Sequence, residues 1–500
     1  MLLHACCRRF ASARPVTMPL KAKVLSPAMQ QNAARTFASA HQIKELPGDE
    51  PNDVLFSNQG GVRNITLNRP RKLNSLNGSM ARKIVPRLTE WSKSDLANVI
   101  VIKGEGRAFC AGGDVAWLAQ RNKEGTEGQQ ESKDYFALEY KLDHLISTYR
   151  KPYVAFIDGI TMGGGVGLSL HAPFRIATEN TVFAMPETTI GFFPDVGASF
   201  FLPRMDGELG TYCALTSEQI KGVNVFYAGI ATHYIHSSSL PDLEARLAEL
   251  EFKDYDDLSH RHRIINRTIE EFVTGLPHDQ PIGAPVGGNI RSAIDYVFQP
   301  ALDIDGILNA LEGLENMDPK TPGYPEVADW ATKTRKTILQ RSPTSVKVTL
   351  RQLREGKTWS MAETFRKEHA IASRFMEHPD FVEGVTALLV DKPKRTPTWT
   401  PSTLEEVSEE DVASFFNHRT EFDLLNQEAG STGEDFKSYP HAWIGLPSEN
   451  SVRKEVQQEK SREEILEHFL GQSHGKQGVK EKVEEILTRK APQDEHGTLK

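Results

Sequence analysis

The spacing of apolar residues changes period several times along the chain, and each change predicts a different element. Arg63 to Asn68 reads as a short strand after a polar stretch. Asn77 is placed to cap a helix whose apolar face carries Met80, Ile84, Leu88 and Trp91, with Pro86 as a kink point. Asn98-Val99-Ile100-Val101-Ile102-Lys103 is an apolar, strand-like run ended by Gly104, and it leads into Gly106-Arg107-Ala108-Phe109-Cys110-Ala111-Gly112-Gly113-Asp114. Lys133 to Tyr149 has the period of an amphipathic helix, and Tyr153-Val154-Ala155-Phe156-Ile157-Asp158 is another buried strand. Gly163-Gly164-Gly165-Val166-Gly167 follows, with Leu168 to His171 as the first helical turn beyond it. Strand, glycine turn and helix therefore succeed one another twice, which favours an α/β class. Each time, backbone N–H groups are left unpaired near a turn or helix start.

Further on, the pattern from about Asp242 to Gln352 is mostly helical, and Phe365 to Leu389 reads as a helical pair broken at His378-Pro379. Beyond Pro393-Lys394-Arg395-Thr396-Pro397 the chain is richer in charge, with helical stretches near Leu404 to Phe416, Val452 to Phe469 and Val479 to Arg489. The expected organisation is a presequence at 1–40, a linker at 41–51, a core with the active site at 52–240, a helical part at 241–400 and a charged, partly helical extension at 401–500. Within the extension, Tyr439-Pro440-His441-Ala442-Trp443-Ile444-Gly445 is an aromatic patch suited to protein contact; the alternative is a solvated tail.

Charge distribution sharpens the view of the N-terminus. Met1 to Lys44 contains seven Lys and Arg residues and no acid before Glu45, the composition of an import signal, and Arg35-Thr36-Phe37-Ala38-Ser39 resembles a matrix-processing site. The expected location is the mitochondrial matrix, with a disordered basic arm as the alternative. For the 500 residues as a whole, 39% hydrophobic and 25% charged residues describe an ordinary soluble protein, and no apolar run is long enough to span a membrane. A net charge of -8 argues against a dominant nucleic-acid face, so no direct DNA binding is expected. Cys6 and Cys7 fall in the presequence, leaving Cys110 and Cys213, which have no neighbouring His and read as structural.

Chemistry concentrates between Arg107 and Gly197. Glycine lacks a Cβ, so the Gly163 to Gly165 turn lets a ligand oxygen approach the backbone, and the following helix dipole favours negative charge there. With a second donor from Gly113, such a turn would stabilise the oxyanion formed when an acyl carbonyl is attacked; tight strand–helix packing is the alternative for either glycine motif alone. A P-loop is missing, since no Gly-x-x-x-x-Gly-Lys-Ser/Thr is present, and Ser199 lies in no Gly-x-Ser-x-Gly elbow and reads as a packing or capping residue. His spacing suggests no metal site. Phe183-Ala184-Met185-Pro186-Glu187 sets an acid among apolar residues, where its pKa would rise toward acid/base use. Asp195 follows in Gly191-Phe192-Phe193-Pro194-Asp195-Val196-Gly197; an N-cap or a buried ion pair is the alternative role for each acid.

Taken together, Arg107 to Asp114, Asp158-Gly159-Ile160-Thr161-Met162-Gly163-Gly164-Gly165-Val166-Gly167 and Ala184-Met185-Pro186-Glu187 resemble the enoyl-CoA hydratase/isomerase superfamily, over about residues 52–400. Phe183 to Phe201, Phe201-Leu202-Pro203-Arg204, Ser342-Pro343-Thr344-Ser345 and Asp380-Phe381-Val382-Glu383-Gly384-Val385 are similar to its hydrolase branch. The resemblance implies a crotonase-like spiral of ββα units with a helical C-terminal layer and a charged helical extension. It implies oxyanion donors at the Gly113 and Gly164 N–H groups, a substrate-binding Glu139, catalytic and substrate-binding Glu187 and Asp195, and CoA contacts around Arg69-Pro70-Arg71-Lys72-Leu73-Asn74. Hydratases of the family use two glutamates; Gly167 stands at the first position, Glu187 at the second, and Asp195 where hydratases carry glycine. The implied reaction is hydrolysis of 3-hydroxyisobutyryl-CoA in valine catabolism, with CoA as part of the substrate and no separate cofactor or metal. A role in the small subunit of the mitochondrial ribosome, with or without activity, is the alternative, hydration of an enoyl-CoA is less favoured, and a homo-oligomer is left open.

Overall fold

The computed structural model describes residues 43–253, 255–273, 275–277, 282–418 and 422–491. The presequence expected at 1–40 lies outside the described residues. Among the described residues ten strands form two sheets. The larger has the order β1-β2-β3-β5-β7-β10, made of Val54–Gln59, Val62–Leu67, Val99–Gly104, Tyr153–Phe156, Phe174–Ala177 and His233–Tyr234. The smaller has the order β4-β6-β8-β9, made of Ala108–Cys110, Ile160–Met162, Val182–Ala184 and Ile220–Lys221. Strands β3, β5 and β7 are each followed at once by β4, β6 or β8 in the other sheet. The chain thus winds as a spiral, each turn giving one parallel strand to each sheet before a helix returns it.

Parallel strands covered on both faces need unbroken apolar runs rather than alternation. Val99, Ile100, Val101 and Ile102 are all fully buried, as are Val154, Ala155, Phe174 and Ile176. Asn77 caps Gly78–Ser92 by accepting a hydrogen bond from the Met80 N–H at 2.9 Å, and this helix runs on through Pro86. Three elements depart from the pattern-based expectation. β1 was hidden in the polar stretch because it is an edge strand with only Val54 fully buried; it pairs antiparallel with β2 through a Gly60-Gly61 hairpin, Gly60 having φ +51°. The helix expected from Leu168 begins at Gly164 and spans Gly164–Leu170, so the glycines form its first turn. The long helix also starts earlier than Lys133, at Thr126, and ends at Ser147.

The helical pair broken at His378-Pro379 is present as Met361–Phe375 and Pro379–Val385. Ser360 and Glu363 form a capping box at the first, and the His378 imidazole accepts from the Asp380 N–H at the second. The extension is not a solvated tail over its described residues. Thr432 N–H donates to the Thr148 carbonyl at 2.7 Å, Met361 N–H donates to that of Phe436, and Ile444 enters the apolar cluster beneath the larger sheet. The aromatic patch is turned inward: Tyr439 O–H donates to the Ala172 carbonyl and accepts from Arg175, while Trp443 stays half exposed. Helices Glu449–Val456, Arg462–Gln472 and Val479–Lys490 pack around Val452, Ile465, Val483 and Leu487. Among the described residues no helix is long and apolar enough to cross a membrane.

Charge fastens this last bundle to the body. Arg291 and Arg489, both nearly inaccessible, share Glu449, and Arg489 and Lys490 also reach Asp295. Removing one partner of a buried pair leaves the other charge uncompensated, a loss of about 3–5 kcal/mol. Arg489→Met is therefore expected to lower the unfolding free energy in urea by that order; an unchanged value would show that the bundle is not held by these charges.

Candidate active site

A cavity of about 430 Å³ opens where the turns after β4 and β6 meet the long helix. The structure brings every sequence-predicted site residue to it: Gly113, Glu139, Gly164, Glu187 and Asp195 all line the wall. Gly113 sits beyond β4 in a bridge with Leu76, and Gly164 is the first residue of its helix. Among the described residues neither amide donates to another group of the protein. Gly163 and Gly164 are required by space rather than by flexibility alone. A Cβ at Gly164 would lie 2.5 Å from Glu139 Oε1 and 3.3 Å from the Gly113 nitrogen, and one at Gly163, which has φ +46°, would lie 3.0 Å from Glu187 Oε1.

Glu187 opens the 3-10 turn Glu187–Ile190 after β8 and is almost wholly buried, with Oε2 unpaired. Its carboxyl is pushed well above the usual range, first by burial and then by the negative charge of Asp195. Burial and Asp195 raise Glu139 in the same way. Asp195 is raised by burial to about 7, with the Tyr140 O–H, which donates to its Oδ2 at 2.6 Å, pulling the other way. Burial raises all three, and a tyrosine hydroxyl opposes it at two of them, Tyr140 at Asp195 and Tyr135 at Glu139.

Four contributors were not singled out from the sequence. Tyr140 and Asp143 lie one and four residues beyond Glu139 on the long helix, so Asp143 shares its face. Asp143 is fully buried with both oxygens unpaired, and a Cβ at Gly167 would sit 2.4 Å from its Oδ2. Where the hydratase glutamate would project from position 167, this chain has Asp143 pressed against bare backbone. Glu368, from the helical layer, accepts from Gly197 N–H at 2.7 Å, Ser199 N–H at 2.9 Å and Ser199 O–H at 2.7 Å. Gln352 donates to the Pro194 carbonyl and to Ser199 Oγ. Between them Val196 is held at φ +54°, a costly conformation for a β-branched residue. Two acids four residues apart, Glu139 and Asp143, on a buried helix face were the available signal for Asp143; for Glu368 and Gln352 the partner loop is too distant in sequence to leave one.

The cationic segment expected to meet CoA divides in two. Arg69 is buried in ion pairs with Glu50 and Asp114, and Asn74 donates to the Glu105 and Ala108 carbonyls, so both are structural. Arg71 and Lys72 remain exposed. Lys394, with Leu388 and Leu389, adds a further cation to the cavity wall. Cys110 and Cys213 are buried free thiols, and Ser199 is taken up by Glu368 and Gln352.

With this geometry in place, the sequence profile described as enoyl-CoA hydratase/isomerase matches residues 62–416. The chain belongs to that family. Among its relatives, the small ribosomal subunit protein mS47 of Neurospora crassa is 54% identical over 96% of this chain and 93% of its own. The mitochondrial 3-hydroxyisobutyryl-CoA hydrolase of Gallus gallus is 44% identical over 74% of this chain and 89% of its own. A crystal structure of a carnitinyl-CoA dehydratase from Mycobacterium thermoresistibile superposes with a TM-score of 0.63 at 32% identity, covering 75% of this chain and 98% of that one. The family thus accounts for the spiral, and its named members divide between acyl-CoA enzymes and a ribosomal protein.

Raised carboxyls have a cost in stability. Asp195 at about 7, Glu368 at about 8, and Glu187, Glu139 and Asp143, each raised well above the ordinary carboxyl range, bind protons more tightly folded than unfolded. Their stabilising contribution is complete below the unfolded pKa of about 4 and is lost as pH rises through the folded values. Thermal unfolding is therefore expected at lower temperature at pH 8 than at pH 5, and Asp143→Asn should narrow that gap. An equal gap in the variant would show that Asp143 is not held protonated.

Proposed function

We propose that this protein hydrolyses 3-hydroxyisobutyryl-CoA to 3-hydroxyisobutyrate and CoA, a step of valine catabolism, in the mitochondrial matrix. One observation carries the reading: Glu187 faces the Gly113–Gly164 amide pair while position 167 is closed off by Asp143. A hydratase needs a second carboxylate to place water across a double bond, and none projects from position 167. A thioester carbonyl between the two amides has two N–H donors ready for its developing oxyanion, each worth about 3 kcal/mol.

Glu187 then attacks the carbonyl carbon, expelling CoA as the thiol and leaving an acyl anhydride for water to cleave, or it takes a proton from water that attacks instead. Asp195, oriented by Tyr140, binds the substrate hydroxyl or assists proton transfer. Glu139, facing the Gly164 amide across the cavity, borders the acyl group. The cations of that segment placed to meet CoA phosphates are Arg71, exposed, and Lys72, exposed beside Asp114 at 3.2 Å. Chemistry is thereby assigned to the chain's own residues and water.

A second role rests on the extent of the match. The Neurospora ribosomal relative aligns over 96% of this chain, which leaves too few residues outside for the extension to be excluded, whereas the Gallus hydrolase aligns over 74%. The mS47 of Schizosaccharomyces pombe aligns over 78% of this chain, so the ribosomal role is read as one played alongside the catalytic residues and is not assigned to the extension alone. Co-sedimentation of the full chain with mitochondrial ribosomes is expected; complete absence from the ribosomal fraction would remove this role.

Glu187→Gln should lower turnover by about 10²-fold or more while leaving CoA affinity nearly unchanged. Near-normal turnover would remove Glu187 from the reaction. Transfer of labelled solvent oxygen into the Glu187 peptide in a single turnover marks the anhydride route, and its absence the water route. Since Glu187 acts ionised, the rate should climb with pH, and Asp195→Asn, which takes away the neighbouring negative charge, should move that climb to lower pH. Release of free CoA from 3-hydroxyisobutyryl-CoA is the direct assay; hydration of crotonyl-CoA without thiol release would overturn the hydrolase reading.

A further inference from the structure

A second cavity, of about 580 Å³, shares no lining residue with the catalytic one. Its wall joins β9, the turn before it, the helix Glu326–Leu339 and the segment just beyond that helix. Three cations meet there: Lys221, Lys333 and Arg341. Among the described residues none of the three forms an ion pair. Arg341 is the least comfortable, because it is largely withdrawn from water without a counter-charge. One of its nitrogens donates to the Thr216 carbonyl at 2.6 Å, while its Nε is buried with no partner. Burial lowers its pKa to about 10, which still leaves it charged at neutral pH.

The single acid in the wall, Glu218, does not neutralise the set; it accepts a hydrogen bond from Tyr212 at 3.3 Å. Trp330, whose indole N–H donates to the same Tyr212 oxygen, contributes an aromatic side chain to the lining. A partly buried guanidinium with an unsatisfied edge is costly in isolation and is relieved by an anion. Its planar fork matches the spacing of phosphate oxygens, and the two exposed lysines add mobile positive charge at the rim.

We propose that this cavity binds a phosphorylated small molecule, with Arg341, Lys333 and Lys221 receiving the phosphate oxygens and Trp330 beside the remainder of the ligand. The cavity sits close to the catalytic turn in connectivity: Ser217, in its wall, hydrogen-bonds Thr189 Oγ1 at 2.9 Å, and Thr189 lines the catalytic cavity.

Inorganic pyrophosphate titrated calorimetrically into the full-length protein at low ionic strength is the test. Binding is expected in the wild type and should weaken by about tenfold or more in both Lys333→Gln and Arg341→Gln. Hydrolysis of acyl-CoA by Lys333→Gln should stay at the wild-type level, which separates this cavity from the catalytic one. Equal pyrophosphate affinity in the wild type and Lys333→Gln would place the anion elsewhere, on Arg71 and Lys72 for example, and overturn the proposal. So would the absence of binding at millimolar pyrophosphate. Should Arg341→Gln fail to fold, Lys221→Gln combined with Lys333→Gln carries the same comparison.

Discussion

The clasp between Glu368 and the Asp195 loop is the interaction on which the rest of the site depends. One carboxylate from the helical layer collects the Gly197 and Ser199 amides and the Ser199 hydroxyl, and Gln352 pins Pro194 from the same side. That fixes the loop tightly enough to hold Val196 at positive φ, with the neutral His171 ring donating to its carbonyl at 2.8 Å. Asp195 is thereby presented to Tyr140 and to Glu187 from a backbone that cannot relax. Strain stored in a functional loop persists only when its surroundings over-determine it, and here the helical layer supplies that determination.

The same constraint explains why so many acids can be buried together. Burying carboxyls beside one another is unfavourable in each separate case, and burial together with the neighbouring negative charges shifts each of them toward the protonated form. What offsets the cost is ordinary packing: the parallel strands Val99–Gly104 and Tyr153–Phe156 and the helices over them form a core with no water to admit. A proton-rich pocket next to two free amides is poorly suited to folding stability and well suited to acyl chemistry, where a base with raised pKa and a ready oxyanion site are both needed.

The extension changes the meaning of the chain's length. Its backbone bonds at Ser431 and Thr432, its Tyr439–Arg175 contact and its Glu449–Arg489–Asp295 charges make it part of the body rather than an appendage. A segment anchored so extensively can offer a fixed outer surface to a large assembly, while the catalytic cavity, lined by no residue beyond Lys394, is left intact. The proposed enzyme and assembly roles would then occupy different parts of one molecule.

The sequence by itself determined the spiral's elements wherever burial was two-sided or helix caps were local. The Val99 to Ile102 run, the Asn77 cap and the break at His378-Pro379 are all decided by nearest neighbours and period. It also marked Gly113, Gly164, Glu187 and Asp195, because glycines between strand and helix and acids among phenylalanines conflict with ordinary packing. Tertiary structure alone decided that Arg69 serves Glu50 and Asp114, that Tyr439 faces inward, and that Glu368 and Gln352 grip a loop more than 150 residues away. Those roles depend on which distant groups arrive beside a side chain, and a one-dimensional pattern records only what a residue is, not what it will meet.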